Sequence, residues 1–368
     1  MSYGIIGITP TSYKIIQNAQ QYKELHVYDK KSRPLQSYMN IKTYQSVADV
    51  CVNMRGPKTI ATFNDNHTDS KRTIDQLVEW CDKEDTIINM SNEHHTMSKS
   101  YEEMCRTKGI HYLSADISDN MTLVGGNRTI ADAHELFFRM FSTNIIHTGD
   151  EPGSAHFNKM IHESMECILF QAYADLYGYC NQDRTFIYAL TEAKSLDING
   201  SILHTAIDRI RTSYKYDDVA CVNEKAMWAC VHAAEHDIPA PLLSMSVNAR
   251  LISRHVKSVD THQVFNKFCD RAVALQTLRF VYAMVYYESI QLCPRIIDCI
   301  SESTLDCLMY TSGDILGVLE DTSKYARTFM IHCIHAGVPC PAVQAAVCQY
   351  DYWKQTKTSM NFIASLKI

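Results

Sequence analysis

The feature that most constrains this chain is a change of hydrophobic period near residue 150. Before it, short apolar runs alternate with amphipathic stretches. Residues 3–8, 25–28, 59–63, 86–90 and 110–113 read as strands, and 11–22, 71–81 and 97–108 as helices between them. Strands separated by helices of that length imply βαβ units and a parallel sheet. After residue 150, long 3.6-period stretches take over at 156–179, 222–236, 242–256 and 264–292. Turn signals such as Ile238-Pro239-Ala240-Pro241 and Gly337-Val338-Pro339 punctuate them. The pattern predicts an α/β domain over 1–150 and an all-α domain over 151–368, with no internal repeat.

Composition narrows the class. With 368 residues, 46% hydrophobic and 21% charged, the chain can bury two ordinary cores, which excludes a disordered protein. Net charge is −6 and no basic stripe is present, so no nucleic-acid partner is expected. No run reaches 18 apolar residues, and the N-terminus reads as a strand rather than a secretory leader. A cytoplasmic protein with no membrane contact is expected. The 14 cysteines are scattered with no C-x-x-C, which predicts reduced, buried small hydrophobes. His94-His95 and the His332, Cys333, His335 group lack a fourth ligand at metal spacing, so no metal site is expected. The aromatic residues of 280–287 read as helical core.

The first strand runs into Gly4-Ile5-Ile6-Gly7-Ile8-Thr9-Pro10-Thr11-Ser12. A Rossmann turn, G-x-G-x-x-G, needs three small positions: for the tight turn, for approach of a pyrophosphate, and for helix–strand packing. Gly7, Thr9 and Ser12 occupy them. Asp29 closes the second strand, where an acidic residue binds ribose hydroxyls and favours NAD; Lys30 and Lys31 follow and could instead hold the 2′-phosphate of NADP. The N-terminal domain is therefore expected to be Rossmann-type and to bind NAD or NADP.

Further segments resemble the 6-phosphogluconate dehydrogenase family. Ile87-Ile88-Asn89-Met90-Ser91-Asn92-Glu93 resembles its I-I-D-G-G-N-S-E, and Gly125-Gly126-Asn127 its M-P-G-G-N. The longest match runs from Gly153 to Glu166, Gly-Ser-Ala-His-Phe-Asn-Lys-Met-Ile-His-Glu-Ser-Met-Glu, against G-A-G-H-F-V-K-M-V-H-N-G-I-E. Lys225 falls in a stretch like G-T-G-K-W, and Asn248-Ala249-Arg250 resembles F-A-R. Ala336-Gly337-Val338-Pro339-Cys340-Pro341 and Tyr350-Asp351-Tyr352 resemble A-G-V-P-x-P and Y-Y-D-x-Y.

The resemblance implies a homodimeric NAD(P)-dependent dehydrogenase that oxidises and decarboxylates a small anionic substrate, a phosphorylated sugar acid or related 3-hydroxy acid. It implies Lys159 as general base, Glu166 as the acid that protonates the enol, and His162 as a substrate ligand. Asn92 would lie between cofactor and substrate. Ser118 and Glu163 fall at substrate-binding positions, and Lys225 and Arg250 would hold the phosphorylated end.

Independently of any family, Lys159, His162, Glu163 and Glu166 lie at i, i+3, i+4 and i+7, so they share one helix face. A lysine and a glutamate aimed at one cleft can serve as base and acid. The same spacing also suits a solvated face with an i,i+4 ion pair.

Departures from the family fall at working positions. Its V-S-G-G loop reads Ile117-Ser118-Asp119-Asn120, and Asp119 adds charge where an anion would sit. Its V-K-A-G cofactor loop reads Phe63-Asn64-Asp65-Asn66. Glu163 replaces a neutral Asn, so it should stabilise a charged Lys159 and repel an anion. Cys167 replaces a phosphate-binding Tyr. Members of the family continue past the equivalent of Asn361-Phe362-Ile363 with a tail that reaches the partner subunit; its loss would weaken phosphate binding. A lapsed homologue, kept as a nucleotide-binding or interaction protein, is the alternative expectation.

Overall fold

A computed structural model of the chain describes residues 2–9, 12–13, 16–17, 24–31, 40–118, 121–180, 207, 220–221, 223–255, 270–294, 296 and 315–355. Most of the expected helix at 11–22, together with Asp119, Asn120 and residues 361–363, lies outside them. The chain forms two compact units, Met1–Lys159 and Met160–Ile368.

The first unit is built on an eight-stranded sheet of order β3-β2-β1-β4-β5-β6-β7-β8. The strands are β1 (Ser2–Ile6), β2 (Leu25–Tyr28), β3 (Ile41–Tyr44), β4 (Lys58–Thr62), β5 (Thr86–Asn89), β6 (His111–Ser118), β7 (Met121–Gly125) and β8 (Asn144–Gly149). β1 to β6 are mutually parallel; β7 runs antiparallel to β6 and pairs parallel with β8. Order reverses at β1, between β2 and β4, and in such sheets ligands bind beyond the carboxyl ends of the strands at that point.

Neighbouring side chains of the central strands go to opposite faces. Ile5, Ala61, Ile88 and Leu113 enter one core, while Ile6, Ile60, Ile87 and Tyr112 enter the other. Burial on both faces explains the unbroken apolar runs that identify these strands. Helices α1 (Val47–Asn53), α2 (His67–Trp80) and α3 (Met97–Thr107) cover the second core. α2 starts at Asn66, whose side chain accepts from Asp69 N, and buries Ile74, Leu77 and Val78. Short helix α4 (Arg128–Ala133) supplies Ala131 to the first core, and α5 (Glu135–Phe138) supplies Phe137 and Phe138.

α6 (Ser154–Tyr179) begins in the first unit and continues into the second. The second unit adds α7 (Glu224–Glu235), α8 (Pro241–Ser253), α9 (Arg271–Leu292), α10 (Ile315–Ala336) and α11 (Pro341–Lys354). α9 is buried on nearly every side, with Phe280, Val281, Tyr282 and Tyr286 in the core as expected for 280–287.

The expectation of no internal repeat is overturned here. The corner α7–α8 recurs as α10–α11 one hundred residues later: Val231-His232, Ile238-Pro239 and Pro241 match Ile331-His332, Val338-Pro339 and Pro341. Both corners turn through a left-handed residue, Asp237 (φ 56°) and Gly337 (φ 68°). Ile238 N donates to Ala233 O and Val338 N to Cys333 O, each at 2.9 Å. Each second helix is capped by a buried carboxylate from a long helix. Glu288 accepts from Leu242 N (3.0 Å) and Leu243 N (2.9 Å), and Asp175 from Ala342 N (2.9 Å) and Val343 N (3.2 Å).

Candidate functional site

At the end of β1, Gly7 takes φ 92°. Its amide donates to Tyr28 O and Phe63 N donates to Ile6 O, both at 2.8 Å, so the turn is gripped by the neighbours of β1. A Cβ on Gly7 would overlap the Phe63 carbonyl, which leaves glycine as the residue that fits. Thr9 and Ser12 then cap the helix start reciprocally. Ser12 N donates to Thr9 Oγ1 (3.1 Å), and Thr9 N donates to Ser12 Oγ (2.7 Å). Ser12 is buried, and its hydroxyl donates to Gly7 O (3.1 Å), closing helix against strand as a small third position should.

Asp29 Oδ1 accepts from Ile8 N at 3.1 Å, which fixes the carboxylate against the turn. A cavity of about 250 Å³ opens here, lined by Gly7, Ile8, Asp29, Lys30, Lys31 and Arg72 among others. Lys30 pairs with Asp69 and Lys31 with Asp65, each at 2.8 Å and in water. The glycine cradle, the anchored acid at the strand end and the concavity fit the adenosine end of a dinucleotide, with Asp29 placed for ribose hydroxyls.

Beyond β5 the chain turns through Ser91-Asn92-Glu93. Asn92 is exposed and its amide donates to Asn64 O at 3.0 Å. Beneath it lies a polar network that sequence reading missed. The buried Glu93 carboxylate accepts from Tyr101 OH (2.6 Å), Ser70 Oγ (2.7 Å) and Asn89 Nδ2 (3.1 Å), and meets His67 Nδ1 at 2.7 Å. Asn89 Nδ2 also donates to Tyr112 OH (3.1 Å), Tyr112 OH to Ser98 Oγ (3.2 Å), and Ser98 Oγ meets His156 Nδ1 (3.3 Å). Burial and the carboxylate push the Tyr101 hydroxyl well above the usual phenol range, so it stays protonated and donating. This chain of bonds ties the Asn92 loop to the first turn of α6. A carboxylate beside apolar segments was visible in sequence, but donors 8, 23 and 26 residues away follow no local spacing.

The start of α6 packs tightly on this unit: a Cβ on Gly153 would overlap His95 O, and one on Gly125 would overlap Ser154 Oγ. That fixes half-buried Lys159, whose ammonium donates to Ile117 O at 3.2 Å. Ile117 and Ser118 form the carboxyl end of β6, so the Lys159 ammonium stands on the strand-end side that carries the Gly7 turn.

In the second unit, His162 is buried on α6 with Nδ1 3.8 Å from Glu166 Oε1. Glu163 turns its oxygens onto Lys225 Nζ and Asn223 Nδ2, both at 2.9 Å. The side chains of Lys225 and Glu163 are only 9% and 20% exposed, so water screens this pair little. Arg250 donates to Cys167 Sγ (2.6 Å) and Cys167 O (3.2 Å), and burial pushes the Cys167 thiol up. Both cations expected at a phosphate thus already hold partners from α6. Among the described residues, no three His, Cys, Asp or Glu side chains form a metal-binding group, and no helix is long and apolar enough to cross a membrane.

A doubly wound sheet with a glycine turn and strand-end acid, followed by a helical unit, is the architecture of NAD(P)-binding dehydrogenases. The comparisons agree. Residues 3–149 match the NAD binding domain of 6-phosphogluconate dehydrogenase. The NAD⁺-dependent decarboxylating 6-phosphogluconate dehydrogenase of Haloferax volcanii is 25% identical over 202 residues, covering 50% of this chain and 66% of the relative. That of Bacillus subtilis is 22% identical over 292 residues, 68% and 61%. The chain spans less than two thirds of the length of these relatives. Plasmodium falciparum 6-phosphogluconate dehydrogenase shares the fold at TM-score 0.80 and 14% identity, over 99% of this chain and 95% of that one. Mycobacterium tuberculosis 3-hydroxyisobutyrate dehydrogenase does so at 0.54 and 14%, over 76% and 99%. The chain is thus similar in sequence to 6-phosphogluconate dehydrogenases and shares their fold.

Proposed function

We propose that this protein is an NAD(P)-dependent dehydrogenase of a 3-hydroxy acid, and that the acid it prefers lacks a terminal phosphate. The observation that carries the reading is the Lys159 ammonium, hydrogen-bonded to Ile117 O at the carboxyl end of β6. A bound nicotinamide would supply the hydride acceptor. Gly7, Thr9, Ser12, Asp29 and Lys30 would hold the nucleotide, with Asp29 favouring NAD and Lys30 available to NADP. Asn92 and Ser118 would orient substrate at the strand ends. Lys159, once neutral, takes the substrate hydroxyl proton; His162 positions the substrate, and Glu166 returns a proton to carbon if a β-keto acid loses CO₂. Lys225 and Arg250 keep their α6 partners, so a doubly charged phosphate would have to compete with Glu163. The reading includes a cytoplasmic homodimer, which sedimentation velocity checks.

The test is nicotinamide reduction, followed by absorbance, with NAD and NADP against 6-phosphogluconate, gluconate and 3-hydroxyisobutyrate. Turnover should favour an unphosphorylated acid, and Lys159→Ala should lower kcat by roughly 10²–10⁴-fold with nucleotide affinity unchanged. Activity that survives this substitution removes the proposed base.

The reciprocal Thr9–Ser12 bonds favour a second reading, a lapsed homologue, because they occupy amides that an anion at the helix start would use. Pro10, next in sequence, carries no N–H at all. Calorimetric titration separates the two: tight nucleotide binding without turnover on any acid points to a binder, and no binding to an interaction protein.

A further inference from the structure

The cavity beside β1 is lined by three carboxylates and three cations, Asp29, Asp65 and Asp69 against Lys30, Lys31 and Arg72. Two of the cations already hold carboxylates from the segment that follows β4. Lys30 Nζ donates to Asp69 Oδ1 and Lys31 Nζ to Asp65 Oδ2, each at 2.8 Å. These lysines follow the strand-end acid directly, where a cation would meet the 2′-phosphate of NADP. The cavity wall therefore offers that phosphate no excess of positive charge.

Asp69 is fixed as well as paired. Asn66 Nδ2 donates to Asp69 Oδ2 at 3.0 Å, and Asp69 N donates to Asn66 Oδ1 at 2.9 Å, so its carboxylate belongs to the cap of α2. The positive end of that helix favours an anion in its first turn. Hydrogen bonds from Lys30 and Asn66 hold the Asp69 carboxyl below the usual carboxylate range. Were Lys30 to swing onto a phosphate, Asp69 would stay in the cavity wall as an uncompensated anion.

We propose, on the reading that this cavity takes the adenosine end of a dinucleotide, that Asp65 and Asp69 set its preference and select NAD over NADP. NAD brings a 2′-hydroxyl, which can donate to the Asp29 carboxylate that Ile8 N holds at 3.1 Å. NADP brings a phosphate of charge about −2 at neutral pH, with no proton to give a carboxylate. To receive it, Lys30 and Lys31 must leave Asp69 and Asp65, and three carboxylates then share one cavity with the phosphate. Both ion pairs lie in water, so each alone is a weak barrier; the selectivity comes from the summed charge.

Calorimetric titration of the full-length protein with NAD and with NADP reads the ratio of the two dissociation constants. NAD should bind about tenfold tighter or more. Asp65→Asn/Asp69→Asn keeps acceptor oxygens for both lysines and for Asn66 while removing two negative charges. In that variant the ratio should move toward NADP by roughly tenfold. Asp65→Asn alone, which leaves the α2 cap untouched, should give part of the same shift. Adding Lys30→Ala and Lys31→Ala to the double variant should take the gain back, which a general loosening of the turn would not do. Native protein that takes NADP as tightly as NAD overturns the inference and leaves the dehydrogenase reading standing. So does a ratio that the asparagines leave unmoved. Native protein that binds neither nucleotide removes both.

Discussion

At the scale of single residues, two positions carry the weight of the reading. Gly7 sits at φ 92° with the Phe63 carbonyl where a Cβ would go. Alanine there faces both a backbone strain and an overlap with rigid main chain. Gly7→Ala should therefore cost roughly 3 kcal/mol or more in urea unfolding and abolish nucleotide binding by titration. A variant that keeps both stability and binding would show that the turn is not the nucleotide cradle. Glu163 is the second position. It neutralises Lys225 at 2.9 Å, so Glu163→Gln keeps a hydrogen-bond acceptor but returns a positive charge to the site. Replacing a charge-assisted bond with a neutral one is worth about a factor of ten or more, and KM for 6-phosphogluconate should fall by about that factor. An unchanged or raised KM would mean that Lys225 never meets substrate.

At the scale of elements, the two capped corners lead to a pH prediction. Burial pushes Asp175 from 3.8 up to about 7 and Glu288 from 4.5 up to about 7, against the pull of the amides each accepts. A carboxyl with a raised folded pKa holds its proton longer in the folded state. Its contribution to stability is full below the unfolded value and is lost as pH rises through about 7. The second unit should therefore lose stability between about pH 4 and 7, and Asp175→Asn should remove a share of that slope, roughly 2–4 kcal/mol. Denaturant melts at pH 4.5, 6 and 7.5 read it; identical slopes for both proteins would mean that the amides hold Asp175 ionised throughout. These elements also show what sequence can tell. β2, β4, β5 and the long helices are legible because burial on both sheet faces, or on one helix stripe, writes a period into the chain. β3, with its exposed Lys42 and Thr43, has no such pattern, and β7 and β8 lie where expectation stopped at 113. Gly7, Ser12 and Asp29 were legible from one local turn. The engagement of Lys225 by Glu163, 62 residues away, and of Arg250 by Cys167, 83 away, was not, since no period links them. The repeat hid because only the corner retains it, while the helices around the corner have diverged.

At the scale of the whole molecule, two units with separate cores allow nucleotide binding to be tested without any substrate. The Gly7 turn, Asp29 and the cavity beside them all lie in Met1–Lys159, whereas the capped corners lie in Met160–Ile368. A ligand that binds only the folded form of the first unit stabilises it by RT ln(1 + [L]/Kd), about 2.7 kcal/mol at one hundred times Kd. NAD or NADP at saturating concentration should thus protect amides of β1, β2, β4 and β5 in hydrogen exchange by about a hundredfold, to the extent that they exchange through unfolding of that unit. The α8 and α11 amides bonded to Glu288 and Asp175 should change less, because the proposed nucleotide site draws none of its residues from their unit. Equal protection in both units would mean that they unfold as one. No protection at all, with the fold intact, would remove the nucleotide from the reading and leave a dehydrogenase scaffold whose anion sites, at Thr9–Ser12 and at Lys225–Glu163, have both been closed by its own side chains.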